Sequence, residues 1–181
     1  MSVRTVQGIR EMHVLNLTNK QPPFYRDQVT GVEAQGVTTE QLVVPERHDL
    51  NSPWRLTDYL RFFPMVHRTV EDRFDLVHAN YGLTAPMALS QRKLPVVLSL
   101  WGTDLYGPLQ HVTRTLAPHC DAVIVMSEQM KTDLGLDATV IPHGVDLDRF
   151  IPIERSLARD AVGWDPDAYH VLFPYRPWRE I

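Results

Sequence analysis

Pro95-Val96-Val97-Leu98-Ser99-Leu100-Trp101-Gly102-Thr103-Asp104 joins a short, nearly continuous apolar run to a polar turn that carries a glycine. A run of this length without polar alternation fits a strand buried on both faces, the condition of a parallel sheet clad by helices. Similar runs recur outward from it, at residues 75–79, 122–127 and 138–141 and, nearer the start, at 12–17 and 38–44. With 96–100 these make six predicted strands, separated by longer stretches of helical periodicity.

The clearest helix lies between the second and third strands. Ser52 can cap it and Pro53 can take its first position, and Leu56, Tyr59, Leu60, Phe63, Val66 and Val70 then recur at helical spacing. Pro64 is expected to kink it. Helices are also expected over 24–35 and 83–91, and Gly107-Pro108 opens another that runs to about Pro118. Strands alternating with helices in this way predict an α/β fold, a doubly wound parallel sheet of Rossmann-like type, not a barrel or sandwich. In such sheets ligands bind beyond the carboxyl ends of the strands.

Past Ile141 the character changes to Pro142-His143-Gly144-Val145-Asp146 and Phe150-Ile151-Pro152, then a helical stretch at 154–162, a turn at Asp165-Pro166-Asp167 and a last strand-like run at 170–174. The expected organisation is an extension at 1–11, a Rossmann-like domain at 12–150, and at 151–181 a hinge, a linker helix and the first strand of a second domain.

Bulk properties narrow the function classes. At 181 residues, 44% of them hydrophobic, the chain has room for one full domain. A net charge of -4 without a basic run gives no nucleic-acid footprint. The single cysteine, Cys120, reads as a core residue; it allows no internal disulfide and no zinc pattern surrounds it, which points to a reducing, cytoplasmic compartment. No stretch reaches the ~20 apolar residues of a membrane span. Residues 1–11 lack the apolar centre of a signal peptide.

Four segments together carry a resemblance: Asp75-Leu76-Val77-His78-Ala79-Asn80-Tyr81-Gly82; the stretch Pro95 to Asp104; Cys120-Asp121-Ala122-Val123-Ile124-Val125-Met126-Ser127; and Pro142-His143-Gly144-Val145-Asp146 with Phe150 and Pro152. In this order they resemble the N-terminal half of the family 4-like GT-B glycosyltransferases, over residues 12–174. The resemblance implies an acceptor-binding half that works with a nucleotide-sugar donor and a glycan or lipid-linked acceptor, the nucleotide being held mainly by a C-terminal domain with paired glutamates. It implies no cofactor, since the nucleotide-sugar is a substrate, and no metal. On this reading the chain is inactive alone and is a fragment, an interrupted gene product or a subunit completed by a separate C-terminal half. Peripheral membrane attachment stays open for a lipid-linked acceptor.

The resemblance also marks substrate-binding candidates: Asn80 and Tyr81 after the third strand, Trp101, Gly102, Thr103 and Asp104 after the fourth, Ser127 after the fifth, and His143, Gly144 and Asp146 in the hinge segment. Gly102 and Gly144 either let main chain approach a diphosphate or are ordinary turn glycines. Asp104 either accepts hydrogen bonds from sugar hydroxyls or bonds its own backbone. Trp101 stands where the family commonly has a histidine, and is either a stacking platform for a sugar or core packing. His143 can hydrogen-bond a phosphate or carbonyl, or serve the hinge alone. Ser127 can cap the following helix, with Glu128 near its positive end. The loop 16–24 lacks the glycines of many relatives and carries Pro22-Pro23; Asn19, Lys20 and Arg26 are its polar candidates. His78, inside a strand, reads as a core histidine. No catalytic residue is assigned.

Other readings are a sugar-nucleotide epimerase of the same architecture, a flavodoxin-like or receiver-like module, and a non-catalytic glycosyltransferase-like binding module. The hinge segment opposes the first, and the extra segment past the fifth strand-helix unit opposes the second. Trp101 and the glycine-free first loop favour the third.

Overall fold

The computed structural model describes residues 12–45 and 56–172. They form two units divided between Gly144 and Val145.

The first unit is built on one sheet of six parallel strands, β1 (Met12–Thr18), β2 (Val37–Val43), β3 (Leu76–Asn80), β4 (Val96–Ser99), β5 (Ala122–Val125) and β6 (Thr139–Val140), in the spatial order β2-β1-β3-β4-β5-β6. All six predicted strands of this unit are present. The order reverses at β1, whose neighbours are β2 and β3, so the topological switch point lies between β1 and β3.

Register explains why the sheet has two unlike faces. Leu15 pairs with Val77 and Leu17 with Ala79, while Ala79 also pairs with Leu98 and Leu98 with Val123. These residues share one face, and all are buried. Against them pack Phe62 and Val66 of α2 (Leu56–Thr69), Met87 and Ala88 of α3 (Ala85–Ser90), and Met130 and Leu134 of α6 (Glu128–Leu134). Each large side chain buried here contributes roughly 1.5–3 kcal/mol through removal of apolar surface from water. The opposite face carries Val14, Asn16, Leu76, His78, Val97 and Ile124, which with Gln28 and Val32 of α1 (Pro23–Glu33) line a pocket of about 160 Å³. Helices thus flank the sheet on both sides, as a doubly wound fold requires.

Local sequence accounts for most helix ends. Pro23 takes the first position of α1, where a missing N–H costs nothing. Residue Pro64 lies inside an uninterrupted α2; the expected cap at Ser52 and Pro53 lies outside the described residues. The helix expected over 83–91 begins instead with a 3-10 turn, Gly82–Thr84, before α3. A four-residue helix, α4 (Thr103–Tyr106), occupies what reads in sequence as loop, and α5 (Gln110–Leu116) with a 3-10 turn at Ala117–His119 follows it. Gly107 separates the two because a Cβ there would meet the Thr103 carbonyl oxygen at 2.2 Å.

In the second unit, α7 (Arg155–Val162) starts with Glu154 accepting from the Ser156 and Leu157 amides and ends at Gly163 in the left-handed conformation. His170, Val171 and Leu172 form no strand, contrary to the reading of 170–174; residues 173 and 174 lie outside the described residues. A strand needs a hydrogen-bonded neighbour, and no other strand occurs among the described residues of this unit.

Candidate functional site at the carboxyl edge of the sheet

Thr18, Asn80 and Ser99 stand level across β1, β3 and β4, since Thr18 pairs with Asn80 and Asn80 with Ser99. The chain therefore leaves three adjacent strands at one height, and the next residues form a common rim. Asn80 is fully buried; its side-chain amide donates to Asn16 Oδ1 at 3.0 Å and to the His78 carbonyl at 3.3 Å.

Tyr81 follows with φ 100°, a conformation that L residues rarely adopt. Its surroundings over-determine it. The Tyr81 amide donates to the Ser99 carbonyl at 3.0 Å, its carbonyl accepts from the Thr84 amide and hydroxyl, and the neighbouring Gly82 amide donates to Asp104 Oδ2 at 3.0 Å. Gly82 itself is pressed on α5, because an added Cβ would meet Thr113 Oγ1 at 2.1 Å.

The loop after β4 is held from below by Asp104. This carboxylate is buried and accepts from the amides of Gly82, of Trp101 at 3.0 Å and of Gly102 at 2.8 Å. Desolvation raises its pKa, and the same amides pull it back down. Gly102 makes the loop possible with φ 116°, at the start of α4. Of the two readings of Asp104, the geometry corresponds to the one in which it binds nearby backbone: it joins the β3 and β4 loops and presents no free oxygen lone-pair face at the surface.

Trp101 lies above, half-buried. Its ring meets Phe24 edge-on at 4.9 Å, Tyr25 at 5.9 Å and Tyr81 at 6.2 Å, and Thr103 Oγ1 lies 3.3 Å from the Tyr81 hydroxyl. His143 reaches the same cluster through Phe24, with ring centroids 4.5 Å apart, and burial lowers its pKa. Asn80, Tyr81, Trp101, Gly102, Thr103, Asp104 and His143 thus belong to one neighbourhood. Gly144 is exposed beyond it. Ser127 caps α6, its hydroxyl accepting from the Met130 amide at 3.2 Å. Asp146, in the second unit, accepts from the amides of Asp148 and Arg149.

Phe24, Tyr25, Asn16 and Gly82 are members that the sequence reading did not name. The signal for the first two was available: aromatics directly after Pro22-Pro23, at a helix start on the ligand side of the first strand. The polar candidates of that loop are engaged locally. Asn19 is buried and hydrogen-bonds the Tyr59 side chain, and Arg26 donates to the Gln21 carbonyl at 3.2 Å, while Lys20 is exposed. His78 is bonded to Ser99 Oγ at 2.8 Å within the sheet, as a core histidine.

The fold is thus a doubly wound α/β domain whose carboxyl edge presents an aromatic, glycine-shaped rim. Residues 10–149 match the family model described as Glycosyltransferase Family 4, and the chain belongs to this family. No curated protein matches it. Among solved structures it is similar to the crystal structure of Anabaena HepE in complex with UDP, at 18% sequence identity and a TM-score of 0.46, over 85% of this chain and 50% of that one. The chain spans about half the length of that protein. Among the described residues, no helix is long and apolar enough to cross a membrane.

Proposed function

We propose that this chain forms the acceptor wall of a glycosyltransferase that moves a sugar from a nucleotide-sugar to a glycan or lipid-linked acceptor, with the nucleotide held chiefly by a C-terminal half. The observation that carries this reading is the loop 101–104. In a member of the glycosyltransferase family, it projects from the carboxyl edge beside the switch point, fastened underneath by Asp104 so that Trp101, Gly102 and Thr103 stay displayed.

Asn80, Tyr81, Trp101 and Thr103 line the acceptor side, with His143 bordering it across Phe24. Gly102 and Gly144 leave the main chain open to close approach. Asp104 is a positioning residue. Ser127 sets the start of α6, and Asp146 shapes the turn that follows the wall. Leaving-group charge is stabilised from the other half, and no metal or cofactor takes part. This half binds acceptor without turning over the donor.

The test is a transfer assay of the 181-residue chain with a panel of nucleotide sugars and with neutral and lipid-linked glycans, alone and joined to a donor-binding C-terminal half. Product only from the joined protein is expected. Turnover by the chain alone would refute the division of labour, and acceptor binding without product in either form would favour a glycosyltransferase-like binding module.

A further inference from the structure

Buried polar atoms without a hydrogen bond are rare in folded proteins, and each costs about 1–3 kcal/mol. Among the described residues they are Tyr25 Oη, Asn80 Oδ1, Trp101 Nε1, Thr113 Oγ1 and His13 Nε2. His13 Nε2 faces Glu40 at 3.3 Å, and Thr113 Oγ1 is pressed on Gly82. The remaining three belong to one neighbourhood. Tyr25 and Asn80 are fully buried, the Tyr25 and Trp101 rings lie 5.9 Å apart, and Asn80 directly precedes Tyr81, whose ring flanks Trp101 at 6.2 Å. Asn80 also shares a sheet face with Asn16, whose Oδ1 accepts from its side-chain amide.

The chemistry of these three atoms selects a ligand. Trp101 Nε1 only donates, Asn80 Oδ1 only accepts and the Tyr25 hydroxyl does both. The dianion of a phosphate ester satisfies the indole but offers Asn80 Oδ1 no proton. Neighbouring sugar hydroxyls, each donor and acceptor, can serve all three. An apolar sugar face then packs on the rings of Trp101, Phe24 and Tyr81. Burial disfavours the cationic form of His143 at the border of the cluster.

We propose that Trp101 Nε1, Asn80 Oδ1 and Tyr25 Oη form a subsite for the hydroxyls of an uncharged sugar ring of the acceptor, stacked on the Trp101 aromatic cluster. This deepens the acceptor-wall reading and rests on it. It also assigns Trp101 a role: an N–H donor, with no acceptor beside it, at the rim of an aromatic surface.

The experiment is a titration of the ¹⁵N-labelled full chain with methyl glycosides and neutral disaccharides, and separately with inorganic phosphate, sugar 1-phosphates and nucleotide sugars. Backbone resonances of Gly102 and Thr103 report binding, and the Trp101 indole resonance, assigned by its loss in Trp101→Phe, reports the hydrogen bond. The expected result is that a neutral saccharide shifts all three in the wild type. Affinity then falls about tenfold in Trp101→Phe, which loses the indole N–H and part of the stacking surface, and several-fold in Tyr25→Phe, which loses one hydroxyl and no ring. Tyr25→Phe should unfold at no lower a temperature than the wild type, because it deletes only a polar atom that lacks a partner in the free protein; this separates a ligand-facing role from a structural one.

Phosphate shifting these resonances while neutral saccharides do not would overturn the subsite. So would saccharide binding that both variants leave unchanged, a result that keeps the acceptor-wall reading intact. Silence towards every saccharide and nucleotide sugar would remove that reading together with the subsite.

Discussion

The turn that leads into β3 and the rim that leaves it are built on opposite terms. At the entry, the His13 amide donates to Asp75 Oδ2 at 2.8 Å and the Asp75 amide returns a bond to the His13 carbonyl at 2.8 Å. Arg73 reaches Glu40 Oε2 at 2.8 Å and Glu71 Oε2 at 2.9 Å, and lies over the Phe74 ring at 4.3 Å. No residue of this turn has positive φ. At the exit, Tyr81 sits at φ 100° and Gly102 at φ 116°, and three buried polar atoms in that neighbourhood lack partners. Polar groups at the entry complete one another, whereas at the exit Tyr81 is held in a costly conformation by surroundings that fix it, beside a glycine that alone suits its own. Such strain is found where a protein has a use for it beyond stability.

The largest effect is expected where the exit is fastened. Asp104→Asn keeps the shape but replaces one of the two accepting oxygens by an NH₂, so that whichever way the amide turns, Gly82 N–H or Gly102 N–H faces a donor and loses its acceptor. Leaving buried donors unsatisfied costs about 1–3 kcal/mol each, so a loss of roughly 3 kcal/mol is expected in chemical denaturation. A loss below 1 kcal/mol, which is about the lower limit for a single unsatisfied donor, would mean that the rim does not depend on this carboxylate, and the contrast with the entry would weaken.

Next comes pH. His78 lies in mid-sheet, and burial pushes its pKa down from 6.5 to about 4. The unfolded chain therefore takes up a proton near pH 6.5 that the folded chain refuses until about pH 4. Stability from this group is complete above the first value and falls as pH drops towards the second. The span corresponds to roughly 3 kcal/mol at most, less where water reaches the open edge of the ring. Comparing His78→Gln with the wild type across this range isolates it: the difference should shrink as pH falls, and a constant difference would exclude it.

A smaller, sign-reversing effect is expected at Tyr81. Both Tyr81→Ala and Tyr81→Gly lose the ring contact with Trp101. Only glycine relaxes at φ 100°. Glycine should be the more stable of the two by about 1 kcal/mol, the reverse of their usual order. Alanine proving equal or better in thermal unfolding would show that Tyr81 stores no strain.

The sequence made the sheet legible for a physical reason. Strands covered on both faces need near-continuous apolar runs, and all six runs in the first unit pair as parallel strands. Residues 170–172, the described part of the last strand-like run, have no strand beside them among the described residues and form none. Helix α4 escaped because four residues are too few to display a period, and its limits are set by Gly102 and by the crowding at Gly107. At the site, the loops after β3 and β4 were readable from their glycines and polar residues. Phe24 and Tyr25 carried a positional signal, next to Pro22-Pro23 on the ligand side of the first strand, but their residue type did not point to the site, since aromatics on a helix look like core whatever they face. The inward turn of Asp104 was present in the sequence only as one of two readings, because a carboxylate two residues beyond a glycine suits a backbone staple as well as a sugar.

The smallest effect is expected at the entry. Arg73 and Glu40 keep 43% and 40% of their side-chain surface exposed, so water and salt screen the pair, and exposed ion pairs contribute little. Arg73→Met retains an apolar stem that can still lie on Phe74. Thermal unfolding of Arg73→Met should be indistinguishable from that of the wild type at physiological salt, and a double-mutant cycle with Glu40→Gln should give a coupling that disappears in high salt. A large, salt-resistant coupling would make the entry a structural keystone of the sheet and erase its contrast with the exit. If instead the entry tolerates the change while Asp104→Asn does not, the polar groups that matter for this fold are those that shape the cleft, and stability and site share the same few residues at one edge.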